Sequence, residues 1–194
     1  MIRDDWLLRS LRQATSVLAR VRRAEVSAEA MVPGALLALT GLGPRVIERL
    51  PPEALRTLLR GRPEGATLAL LTGALLAEHD TSTHRRLQAL TLLADGAPDA
   101  DVAGVEPKEQ IARLLTQLSG HPLTPHLHAH LFRWFVHAGE LDRADDHLHA
   151  AGALPGLTER AREVLEPLRE WPAERLEAAG WSRAELEDVL GELD

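Results

Sequence analysis

The chain has 194 residues, a net charge of −7, 45% hydrophobic residues and only 3% aromatic ones, with no Tyr and no Cys. Lack of Cys excludes disulfides, thiolate metal centres and cysteine nucleophiles, and fits a reducing, cytoplasmic setting. With so few aromatics, Leu and Ala must build the core, and both favour helix over strand. Residues 1–24 carry six Arg and two Asp, a charge of +4, so the remainder carries −11. An acidic body of this kind argues against a nucleic-acid binder.

The opening "MIRDDWLLRSLRQ" has no uninterrupted apolar stretch and is not expected to be a signal peptide. No run approaches ~18 apolar residues, so no membrane span is expected. A helix is predicted over about residues 3–25, within an amphipathic segment 1–25. Leu7, Leu11, Ala14, Leu18 and Val21 form its apolar stripe, and Trp6, Leu8 and Val17 widen it. Asp4 and Asp5 at its start and Arg20, Arg22 and Arg23 at its end complement the helix dipole. This helix is expected to dock on the body. A homodimer seam is the first alternative use of its apolar face, and contact with nucleic acid or an anionic membrane is a second.

From Val32 to Gly65 Pro or Gly recurs every few residues, which predicts short helical pieces. "TLALLTGALLAEH", starting at Thr67, is apolar all round and reads as a central buried helix. "STHRRLQALTLLADG" reads as its antiparallel partner, ending at Gly96. Within it, Ser82 and His84 suit an N-cap and a first turn better than a nucleophile and base. The acidic, small-residue stretch 97–107, with Pro98 and Pro107 near its ends, is expected to be a mobile loop. A helix follows from Pro107 towards Gly120, and the tail after Leu157 predicts three more, the last opened by a Ser182–Glu185 capping box.

Six of the nine histidines fall in "TPHLHAHLFRWFVHAGELDRADDHLHAAG", Thr124 to Gly152. Thr124 is a good N-cap and Pro125 a good first-turn residue. Gly139 and Gly152 then stop two successive helices. On the first helix His126, His130, Arg133 and His137 share one face, and Leu127, Leu131, Phe135 and Ala138 the other. His126 and His130 stand at i, i+4, and with His147 they form an alternative metal set. His137 lies about three turns from His126, Arg133 intervenes, and no H-E-x-x-H pattern occurs, so no metal or other cofactor is expected. Phosphate-loop and G-x-S-x-G patterns are also missing, and no catalytic residue is assigned.

Gly139-Glu140-Leu141-Asp142-Arg143-Ala144 resembles the G-x-Y-x-x-A turn of a tetratricopeptide repeat, with Leu131, Phe135, Leu148 and Ala151 at its packing positions. His128 stands where that repeat prefers Trp, and Phe132 where it prefers a small residue. Over most of the chain, "RDDWLLRSLRQATSVLARV", "LLALTGLGPRVIERLPPEALRTLLR", "LFRWFVHAGELDRADDHL" and "LEAAGWSRAELEDVLGEL" look like blocks of an uncharacterised bacterial family of small all-helical proteins. The resemblance implies the fold and the tetratricopeptide-like hairpin, and no activity.

The expected architecture is a single all-α domain, residues 1–194, of about nine helices in stacked antiparallel hairpins. Such a stack leaves a groove. The expected function is therefore a non-catalytic protein or peptide interaction module, with His126, His130, Arg133 and His137 as the partner-binding face. Trp6, Trp134, Trp171 and Trp181 are expected to be packing anchors.

Overall fold

The computed structural model describes residues 2–79 and 82–193, with side chains from residue 5 onward. Among the described residues it holds twelve α-helices, one short 3-10 helix and no strand. Helices outnumber the nine expected because Pro and Gly divide both the 40–65 region and the tail into very short pieces. Backbone packing groups the chain into two compact units, Met1–His121 and Pro122–Asp194. The Gly120-His121-Pro122 junction is too short to announce itself as a linker in the sequence.

The first unit contains α1 (Ile2–Arg22), α2 (Ala28–Thr40), α3 (Pro44–Arg49), α4 (Pro52–Arg60), α5 (Gly65–His79), α6 (Thr83–Gly96) and α7 (Pro107–Gln117). α5 is buried from Leu68 to Leu76. Its uniform apolarity has a direct cause: α1, α2, α4, α6 and α7 all pack against it. α6 is its antiparallel partner, and the two backbones approach closely at two glycines. A Cβ on Gly96 would lie 2.8 Å from both the Ala66 carbonyl oxygen and the Leu70 amide nitrogen. A Cβ on Gly73 would lie 3.0 Å from the Ala89 carbonyl oxygen.

α2 runs through Pro33, where the sequence suggests a break. Pro33 removes only one hydrogen bond, to a carbonyl in the exposed first turn, so the helix survives. Ser82 caps α6, accepting from the Arg85 amide at 3.4 Å, and His84 Nε2 bonds the Leu50 carbonyl at 3.1 Å. Gln88, fully buried on α6, donates to the Ile47 and Leu50 carbonyls at 2.7 Å each and fastens the end of α3. Buried Asp95 faces Arg56 at 3.5 Å and Arg60 at 3.1 Å on α4. The loop between α6 and α7, expected to be mobile, is tied at two points. Arg60 grips Asp99 at 2.6 Å, and Arg22 donates to the Gly104 carbonyl at 2.8 Å.

α1 packs against α2 and α5 through Ala14, Val17 and Leu18. The expected apolar face is too wide: Trp6 is 49% exposed and Leu8 52% exposed. Trp6 is therefore not a packing anchor. The buried arc of α1 is set by the width of the surface beneath it, and both residues flank that arc.

The second unit contains α8 (Pro125–Ala138), α9 (Leu141–Ala151), α10 (Leu157–Leu165), the 3-10 helix Glu166–Glu170, α11 (Ala173–Ala178) and α12 (Arg183–Glu192). Thr124 caps α8, accepting from the Leu127 amide at 3.2 Å. Gly139, at φ 71°, reverses the chain, and the Glu140 amide returns to the Phe135 carbonyl at 2.9 Å. The result is the α8–α9 hairpin. The Leu141 amide donates to the Ala179 carbonyl at 2.7 Å, which links this turn to the end of α11.

Trp134 and Trp181 are buried anchors, and Trp171 is half-buried. The Ser182–Glu185 capping box is formed, with reciprocal bonds of 3.2 and 2.6 Å. Ser182→Ala is expected to lower stability by about 1 kcal/mol, the usual value of such a cap. Glu185→Gln retains the side-chain acceptor and is expected to lose less. Thermal unfolding of the two variants checks the order.

Candidate functional site

α8 is amphipathic because its apolar residues recur at helical spacing. Leu127, Leu131, Phe132, Trp134, Phe135 and Val136 are buried. On the opposite side His126 and His137 are exposed, and His130 and Arg133 are half-buried. The four residues expected to form a partner-binding face thus lie together on the outer side of α8. His126 and His137 are too far apart along the helix to act on one small ligand.

The histidines that meet are a different pair. His128 on α8 and His147 on α9 place their Nδ1 atoms 2.8 Å apart. A single proton lies between two such nitrogens, one ring donating and the other accepting. His147 also stacks on Phe135, with ring centroids 5.2 Å apart and planes within 4°. The Arg143 guanidinium lies 4.0 Å from the centroid of that same Phe135 ring. Burial pulls the His147 imidazole down to about 4. The charges of His128 and Arg143 push the same way, and Asp146 opposes them. Burial also lowers His128.

This pair lies half-buried where α8 and α9 meet. Among the described residues no group of three or more His, Cys, Asp or Glu side chains is disposed to hold a metal ion, so the alternative set His126, His130 and His147 is not gathered. His147 turns inward to Phe135, whereas His126 sits on the outer side of α8.

Beside His137 the second unit carries a shallow cavity of about 260 Å³, bounded by Gly139, Ala178, Trp171 and Arg175. Arg175 stacks its guanidinium 3.7 Å over the Trp171 indole. The His face of α8 therefore runs into an aromatic and cationic notch. Sequence reasoning missed Trp171 and Arg175 as site residues. The i, i+4 spacing of Trp171 and Arg175 was the available signal, but the Pro172 between them hid the shared surface.

A larger cavity of about 470 Å³ lies in the first unit between the ends of α1 and α5 and the start of α7. Its polar groups are turned on one another. Arg22 Nε, Gln110 Nε2 and Arg113 Nη2 all donate to Glu78 Oε1, at 3.4, 3.3 and 3.1 Å. These three donors make Glu78 a fastener of the fold.

The fold and this surface define an all-α protein that carries a helical hairpin with a cationic, aromatic outer notch. No family model, no curated protein and no solved structure matches the chain.

Proposed function

We propose that the chain is a cytoplasmic protein-interaction module, an adaptor that docks an acidic peptide segment on the outer side of α8 and the adjoining Trp171 notch. One observation carries the reading: His137 and Arg175 both line a cavity whose wall includes the half-buried Trp171 indole, on which Arg175 stacks. Aromatic and Arg side chains at a concave surface are the usual anchors of binding energy. The flanking Arg133, His130 and His126 extend the same chemistry along the helix. A partner presenting carboxylates next to an apolar residue fits both parts. In this reading the α8–α9 pair serves as a tetratricopeptide-like scaffold that holds the surface rigid.

The test is recovery of partners from native lysate with the tagged full chain, at low and high salt, identified by mass spectrometry. One stoichiometric partner is expected with wild type. Arg175→Glu and His137→Ala are expected to reduce its recovery about tenfold or more with an unchanged thermal melt. An identical partner set with Arg175→Glu would remove the notch from the proposal. A large fall in melting temperature with His130→Ala would show that the α8 face is structural.

A further inference from the structure

The exposed part of α1 is self-complementary, and we infer that it pairs antiparallel with α1 of a second copy of this chain. Asp5, Leu8 and Arg12 follow at spacings of three and four, so they line one edge of the helix. Leu8 is 52% exposed and stands at the middle of this edge, while Trp6 lies on the other flank of the buried arc and takes no part in it. Asp5 and Arg12 are exposed, and among the described residues neither has an ion-pair partner. The opposite side of α1, with Ala14, Val17 and Leu18, is already buried in the first unit.

A two-fold axis passing close to Leu8 brings the two Leu8 side chains together. It also sets Asp5 against Arg12 of the partner subunit, and the reciprocal pair forms by symmetry. A parallel arrangement would oppose Arg to Arg and Asp to Asp. Charge complementarity thus selects both the occupant and the direction. An anionic bilayer is the less suitable occupant, because the remainder of the chain carries −11 and is repelled from such a surface.

A seam of about two helical turns is at the small end of specific interfaces, so a dimer of modest affinity is expected, populated at roughly 100 µM and dissociated near roughly 1 µM. Sedimentation velocity of the full chain across that range is the test, with circular dichroism confirming equal helicity. Wild type is expected to double its mass with concentration. Arg12→Asp, which opposes Asp to Asp, and Leu8→Ser are each expected to weaken association about tenfold or more. The double variant Asp5→Arg with Arg12→Asp is expected to restore it to within about threefold, because the pair is reciprocal. A wild-type chain that stays monomeric at roughly 200 µM would overturn the inference. So would a dimer untouched by Arg12→Asp, or a double variant that stays as weak as the single. Flotation of the monomer with vesicles rich in anionic lipid, lost with Leu8→Ser, would reassign the face to a membrane and also overturn it.

Discussion

Gly96→Ala is expected to destabilise the chain by about 3 kcal/mol, the range of overpacking in a core that cannot yield. The new methyl would lie 2.8 Å from a carbonyl oxygen and an amide nitrogen of α5. Both atoms belong to helical backbone, so no side-chain rotation relieves the contact. α5 and α6 must separate, and the layer from Leu68 to Leu76 loses its packing with them. Gly34→Ala is the internal control. Gly34 sits within α2 with open space around its Cβ position, so alanine there is expected to stabilise by roughly 0.5–1 kcal/mol through helix propensity. Urea unfolding followed by far-ultraviolet circular dichroism measures both. A Gly96→Ala midpoint equal to wild type would mean that the two helices do not approach in this register.

Acid is expected to loosen the α8–α9 hairpin. The His147 imidazole sits at about 4 in the folded chain against 6.5 for the free group, chiefly through burial. The neutral ring is therefore the form that the fold prefers. Its contribution is complete above pH 6.5 and is lost as pH falls from there toward 4. A shift of this size corresponds to at most about 3 kcal/mol. Partial exposure of the ring reduces this to roughly 1–2 kcal/mol. His128 shifts in the same direction. Charging both rings would also set two N–H groups against each other across 2.8 Å. His149 shifts upward, mainly through its bond to the Asp145 carbonyl, but it is exposed and only slightly offsets the effect. Thermal unfolding between pH 7.5 and pH 4.5 should fall more steeply for wild type than for His147→Gln, whose neutral amide can still bond His128. Equal slopes would remove the pair from the account.

Both hairpins were legible in the sequence because their signals are local. An apolar run, an N-cap at Ser82 or Thr124 and a stop at Gly139 act within a few residues of themselves. The width of a buried face is not local. Heptad spacing places Leu7, Leu11 and Ala14 inward, but it cannot say that the surface beneath α1 is too narrow to cover Trp6 and Leu8. The meeting of His128 with His147 depends on how α8 and α9 cross. Spacing along either helix separately groups His126 with His130 instead. Trp171 and Arg175 were hidden for the converse reason, since their notch is completed by His137, 34 residues earlier in the chain.

The convergence on Glu78 bears on the order in which the first unit assembles. Its oxygen receives Arg22 from 56 residues away, Gln110 from 32 and Arg113 from 35, and Arg22 also reaches Gly104 across 82. Closing loops of that length precedes any gain from the contacts within them. The α5–α6 hairpin needs only a short connection and can form first. The Glu78 junction needs α1, α5, the loop and α7 all in place, so it is expected to close late. Interactions made after the rate-limiting barrier leave the folding rate alone and slow unfolding. Glu78 is thus a latch on the finished structure, governing how long the first unit stays folded more than how quickly it folds.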